Sequence, residues 1–364
     1  MASFGKVSEI FFKIFWIVRR YVEWHETMRR RIVFLHVPIF LWVCIIASTL
    51  QANEHIVGVV DKQELDKVHA LLSVPEAQID FAQSKLMIDR MIDPSVDIER
   101  EMARLDEMIQ VINAKGLKTN MEKKDALRQY LYKAGHWNQH NPFTYDFSDP
   151  KGTKIKNKLL GNYLDSRKGN CISMPFLFIA LGQKLGLDVT ASTAPLHVFV
   201  KFIDESTGQV HNLETTSGGN IARDSWLRKG FPMSDIALER GIYLQVLNKR
   251  ETIAVMANTL LQHYYEEKRF GQLIATADLI LNVYPKAISS LIYKAAAYNA
   301  LLKIRGLWKY RKPEAVPSRD RQTFRYLVSR INKLNNYAME LGWRPPNQAD
   351  EDAYFDKVKT HNKN

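Results

Sequence analysis

The run from Asn170 to Thr215 constrains the fold most. Asn170 can cap a helix, and the apolar residues Ile172, Met174, Pro175, Leu177, Phe178, Ala180, Leu181 and Leu185 follow it, placing Cys171 in the first turn. The stretch Ala194–Phe202 then reads as a strand with His197 near its start. Asp204, Glu205, Ser206, Thr207 and Gly208 read as a hairpin turn, and a second strand runs from Gln209 to Thr215. Asn212 and Glu214 lie two residues apart on that strand and so share a face. A buried helix followed at once by a β-hairpin fixes the class as α+β, with helices dominating the rest of the chain.

The residue types in this run carry a chemical order. A cysteine at a helix start meets unpaired N–H groups and the positive end of the helix, both of which favour the thiolate. Cys171, then His197, then an acid or amide at Glu214 or Asn212 is the order of nucleophile, base and orienting group in a thiol triad. Glu214 is the expected third member and Asn212 the alternative. A buried apolar cysteine and a core histidine bonded to backbone are the competing structural readings.

With these residues in view, the chain resembles the transglutaminase-like superfamily, whose papain-like core uses Cys, His and Asp in this order. Gly169-Asn170-Cys171, His197-Val198-Phe199-Val200 and Glu214-Thr215-Thr216 with Gly218-Gly219 carry the resemblance. It extends from about Asp61 to Leu302, and it is nearest to a bacterial branch with a helical lead-in and tetratricopeptide-like helices after the core. Two departures stand out: Glu214 occupies a position usually filled by Asp, and some members of that branch lack the cysteine that this chain keeps. The resemblance implies a nucleophile helix packed on a small antiparallel sheet, acyl-transfer chemistry on an amide or peptide, and no cofactor. It also implies an upstream side chain that completes the oxyanion hole, for which Trp137, Asn138 and Gln139 are candidates.

The chain has 364 residues, 46% hydrophobic and 25% charged, as expected of a globular protein of two or three domains. Its two cysteines are Cys44 and Cys171, and no disulfide framework is expected between a thiol at membrane depth and one in the folded part. The net charge is +12, of which Met1–Arg31 supplies +4, and a second basic cluster runs from Lys303 to Lys333. No nucleic-acid-binding motif accompanies it, so a face toward anionic lipid is favoured over a nucleic-acid partner.

Ile32–Leu50 holds nineteen residues without Asp, Glu, Lys or Arg, about the length that spans a hydrocarbon core of roughly 30 Å. Arg29, Arg30 and Arg31 precede it, which places the N-terminus in the cytoplasm and the rest across the inner membrane in the periplasm. A signal anchor at 32–52 is favoured over a cleaved signal peptide, because the leader is long and Leu50 is not small. The segment 1–31 reads either as an interfacial amphipathic helix or as an extension of the span.

The expected organisation after the anchor is a helical lead-in over 53–134, a core over 135–242, a tetratricopeptide-like helical region over 243–346 and a polar tail over 347–364. Helix-spaced apolar residues mark the lead-in, with boundaries at Pro75, Pro94 and Gly116. The stretch 135–152 reads as a loop, and its His136 and His140 lack the helix a metal pair at that spacing would need, so no metal site is expected. Arg167 and Lys168 are candidates to add positive potential beside the thiol. Ile253–Lys286 spans about one 34-residue repeat period, so the C-terminal helices are expected to pack on the core or to offer a groove for a protein partner. The function expected is that of a membrane-anchored thiol peptidase, amidase or cross-linking enzyme acting on a peptide or protein. The alternative is a catalytically silent scaffold at the cell envelope.

Overall fold

The computed structural model describes residues 55–231, 233–347, 349 and 352. The segment 1–31, expected to be cytoplasmic, the expected span Ile32–Leu50 and most of the expected polar tail lie outside the described residues. Among the described residues no helix is long and apolar enough to cross a membrane.

Four helices open the described chain: α1 (Lys62–Ser73), α2 (Phe81–Ile92), α3 (Ile98–Asn113) and α4 (Asn120–Tyr132). Asp61, Asp80, Asp97 and Thr119 cap them by accepting from a backbone N–H three residues on. These are the helices the apolar spacing predicts. The stretch 135–152 is more ordered than a plain loop. It holds a short strand β1 (Thr144–Tyr145), which pairs in parallel with β2 (Lys168–Gly169) on the far side of helix α5 (Leu160–Ser166).

Helix α6 (Ser173–Lys184) is the centre of the molecule. Every residue from Ser173 to Gly182 is buried, as expected for a helix apolar on all sides. Each large side chain among them contributes about 1.5–3 kcal/mol by leaving water. Gln183 ties α6 to the lead-in: its amide donates to the Ile79 carbonyl at 2.7 Å and accepts from the Phe81 N–H at 2.8 Å.

The sheet has four antiparallel strands in chain order: β3 (Asp188–Ala194), β4 (His197–Asp204), β5 (Gln209–Glu214) and β6 (Asn220–Ala222). The turn at 204–208 and the strand after it match the sequence reading, but the sheet is twice the expected size. Ala194 and Pro195 do not begin a strand with His197. Ala194 ends β3 opposite His197, and Pro195-Leu196 makes the tight turn between them. Proline suits the first turn position, and Leu196 takes a positive φ of 59° at the second, a conformation that costs a non-glycine residue about 1–2 kcal/mol. Gly218 and Gly219, both at positive φ, turn the chain from β5 into β6. A Cβ on Gly219 would stand 2.8 Å from Arg128 Cγ on α4, so the backbone there needs both the turn and the close approach.

Two short helices, α7 (Asp224–Gly230) and α8 (Asp235–Glu239), lead to α9 (Lys249–Glu266), α10 (Phe270–Val283), α11 (Ile288–Ile304) and α12 (Arg321–Glu340). These long helices lie where the periodicity places them. One hydrophobic core runs through the molecule, from Val68 on α1 through Phe178 on α6 and Phe199 on β4 to Leu327 and Ile331 on α12. A smaller cluster joins Ala237 and Ile242 to Ala338 and Leu341.

Candidate active site

The sequence between Lys168 and Ser173 sets up a tight corner. Asn170 accepts from the Ile172 N–H at 2.9 Å and the Ser173 N–H at 3.3 Å, and its carbonyl takes the first helical bond, from the Met174 N–H at 3.1 Å. Asn170 therefore closes the turn that leads into the helix, while the N-cap position itself falls on Ile172. Cys171, however, sits in the turn ahead of the regular helix rather than inside its first turn, because the Asn170 side chain closes that turn and regular geometry starts at Ser173. Gly169 lets the strand pass under this corner: a Cβ there would lie 2.6 Å from the buried ring of Tyr163 and 2.7 Å from Ser173 Oγ. The outcome is a half-buried Cys171 held beside the positive end of α6, with its Sγ 3.8 Å from the Leu196 carbonyl.

β4 and β5 bring up the other two residues. His197 and Glu214 are both buried, and His197 Nε2 lies 2.7 Å from Glu214 Oε2. The second carboxylate oxygen of Glu214 accepts from the Thr216 N–H at 3.0 Å and from Thr216 Oγ1 at 2.7 Å. Both oxygens are thus occupied and the carboxylate is locked in place. With Nε2 given to Glu214, Nδ1 is the ring nitrogen left to serve Cys171. Phe231 stacks on the imidazole, with ring centres 4.4 Å apart and planes 10° from parallel. The sequence reading missed this residue; it follows α7, and its place on the imidazole comes only from long-range packing.

The electrostatics favour a charged imidazole. Burial works against the imidazolium, but the Glu214 carboxylate and the hydrogen-bonded Cys171 side chain outweigh it, and His197 is pushed up to about 9. Burial likewise opposes ionisation of Glu214, yet its bonds to His197 and Thr216 hold its carboxyl below the usual range. The arrangement is a line of alternating charge: carboxylate, imidazolium, thiol side chain.

Asn212, the alternative third residue, does not reach His197. It shares the face of Glu214 but stands two residues earlier in the strand, roughly 7 Å away. Its amide donates to the Ala222 carbonyl at 2.9 Å and to Asp224 at 2.6 Å, tying β5 to β6 and α7. The upstream oxyanion candidates are also elsewhere. Asn138 spends its amide on the Tyr130 and Lys133 carbonyls, both at 2.7 Å; Trp137 donates to the Lys133 carbonyl at 3.1 Å; Gln139 is exposed. Nor does Arg167 serve the thiol: it donates to the Asn138 carbonyl at 2.9 Å and to the Asn141 carbonyl, and lies over Phe143. Lys168 is exposed. His136 and His140 belong to no group of three or more metal-ligating side chains among the described residues.

Cys171 and His197 open into a cleft of about 260 Å³. One wall is the corner 151–152, Lys158 and the turn 194–198. The other comes from α9 and α11, through Val255, Gln262, Ile292 and Tyr293, and from Trp343 and Arg344 beyond α12. The C-terminal helices therefore pack on the core and also form half of the cleft. This geometry can perform attack by a thiolate on a bound acyl group, with a positioned imidazolium to hand on a proton.

Neither a curated protein nor a solved structure matches the chain. The family model of the transglutaminase-like superfamily matches residues 99–258, a span narrower than the resemblance read from the sequence but one that contains Cys171, His197 and Glu214. Over residues 99–258 the chain is therefore similar to the transglutaminase-like superfamily.

Proposed function

We propose that the protein is a thiol-dependent acyl transferase, acting on an amide or peptide bond through Cys171, His197 and Glu214. The buried 2.7 Å contact between His197 and Glu214, aimed at the cleft that holds Cys171, carries this reading. The thiolate attacks the acyl carbonyl, and the oxyanion forms beside the N-terminal end of α6. His197 then gives its Nδ1 proton to the departing amine, leaving a thioester on Cys171. Water or an acceptor amine attacks the thioester, the neutral imidazole takes a proton from it, and the thiolate leaves as the imidazolium re-forms. Glu214 keeps the ring oriented throughout. Hydrolysis and cross-linking share this thioester and differ only in the acceptor.

In this reading Ile32–Leu50 anchors the protein in the inner membrane, with its N-terminus in the cytoplasm and the folded part facing the periplasm. The tetratricopeptide-like character of the helices after Tyr243 makes them the place for a protein substrate or partner. Incubation with p-nitrophenyl acetate tests the chemistry. The expected result is a stoichiometric burst of p-nitrophenol and an acetyl mass shift on the Cys171 peptide, both absent in Cys171→Ala. A folded protein whose Cys171 takes up no acetyl group would leave the scaffold reading in possession.

A further inference from the structure

Among the described residues, the charged side chains that line the cleft beside Cys171 are all basic. Besides His197 its charged lining residues are Lys151, Lys158 and Arg344; among the described residues no aspartate or glutamate lines it. Lys158 stands out within this set. Its ammonium donates to the Gln262 side-chain oxygen on α9, a neutral partner, and no ion pair among the described residues includes it. An ammonium has three N–H donors, so two remain for another acceptor. Burial pushes its pKa down, with a smaller push from Lys85, while Cys171, Glu266 and Asp149 pull it back up. Keeping a cation inside a protein without a carboxylate partner is unfavourable unless something arrives to pair with it.

The backbone around Lys158 is clamped with unusual firmness. The Lys158 carbonyl accepts from Lys85 Nζ at 2.9 Å, and the Leu160 N–H donates to Asp89 Oδ2 at 2.7 Å. Lys85 and Asp89 are themselves a fully buried ion pair one helical turn apart on α2. The fold thus fixes the base of a side chain whose ammonium projects into the cleft that holds the nucleophile. The opposite wall carries the apolar and aromatic Val255, Tyr265, Ile292 and Tyr293 beside the polar Asn258, Thr259 and Gln262.

We propose that Lys158 is a specificity residue that pairs with a carboxylate of the acyl donor. The substrate class is then an amide or peptide that carries a carboxylate beside the scissile bond and an apolar group that packs against α9 and α11. The inference rests on the reading of Cys171 as the nucleophile.

Two alkylating agents of nearly the same shape test it. Iodoacetate carries a carboxylate where iodoacetamide carries a neutral amide, and both transfer their CH2 group to a thiolate with loss of iodide. Full-length protein carrying Cys44→Ser leaves Cys171 as the single thiol. The iodoacetate-to-iodoacetamide rate ratio at Cys171 is expected to exceed the ratio for glutathione by about tenfold or more, the effect of one charge-assisted hydrogen bond. Lys158→Gln should remove most of that excess from the ratio, in which any change in the Cys171 thiolate itself cancels because both reagents meet the same thiolate, and Lys158→Arg should retain it. In the unsubstituted cleft, N-acetylglycine should slow labelling by iodoacetamide where N-acetylglycinamide does not, a comparison that needs no variant to fold. A ratio equal to that of glutathione, equal protection by the two acetylglycine compounds, or an excess that survives in Lys158→Gln would overturn the proposal, the last by assigning the effect to the His197 imidazolium. Failure of both reagents to label Cys171 would remove the nucleophile reading and this one with it. Rapid labelling by iodoacetamide without a carboxylate preference would remove this one alone.

Discussion

His197→Ala lowers the rate at which p-nitrophenyl acetate acetylates Cys171 at pH 6–7 by about 10²–10⁴-fold, the range removed when a positioned proton carrier is lost. The reason is the charge state of the pair. His197 is pushed up from 6.5 to about 9, so through neutral pH it is an imidazolium that stabilises the thiolate beside it. Removing the ring returns Cys171 to ordinary thiol chemistry, with little thiolate at pH 6. The sign of the pH dependence follows. The advantage is present below the raised pKa and fades as pH climbs through about 9, where the imidazole becomes neutral. Glu214→Gln strips away the leading influence that raises His197 and leaves burial, which lowers it. That variant should move the alkaline limb of the Cys171 reactivity profile to lower pH without abolishing labelling. An unmoved limb would mean that Glu214 does no more than fill space.

Lys85→Met destabilises the fold by about 3–5 kcal/mol, because it leaves the Asp89 carboxylate buried without its partner. Asp89 sits where burial already raises its pKa against the pull of Lys85 and the Leu160 N–H, so losing Lys85 leaves little to hold the charge. The same substitution deletes the bond from Lys85 to the Lys158 carbonyl, which helps to position the cleft wall. The double variant Lys85→Met with Asp89→Leu should recover part of the loss, since an apolar pair replaces an orphaned charge. It should not recover all of it, because the Lys158 carbonyl and the Leu160 N–H lose their partners, at about 1–3 kcal/mol each. Urea midpoints with slopes measured for each variant separate these outcomes. A loss below about 1 kcal/mol in the single variant would show that the pair is not a strut.

Much of the site could be read in the chain because its signals are local. The turn closed by Asn170, the turn at 204–208 and the two-residue spacing on β5 are short-range features, and together they order Cys171, His197 and Glu214. The choice between Glu214 and Asn212 could not be made that way. It depends on strand register, which places Leu213 opposite Val200 and so brings Glu214, not Asn212, toward His197 at the start of β4. β3 escaped notice because Asp188–Ala194 is small and polar, with buried Thr190 and Ser192 in place of the bulky side chains that mark a strand. The misplaced start of β4 has the same origin, since Pro195 continues an apolar run while its geometry makes a turn. Chain position alone makes Trp137–Gln139 candidates for the oxyanion donor, whereas Asn138 is consumed in holding its own loop to the end of α4. The second wall of the cleft had no local signal, since α9 and α11 reach Cys171 only through the tertiary fold.

The central claim is that Cys171 and His197 form an activated pair, and the most direct test is the rate of iodoacetamide labelling at Cys171 from pH 4 to pH 10, in the Cys44→Ser protein with and without His197→Ala. The account predicts labelling that is already fast at pH 6, with a first step well below the ordinary thiol value of about 8.5, a second change near 9 as His197 loses its proton, and loss of both features in His197→Ala. A single step at about 8.5 that is the same with and without His197 would contradict it.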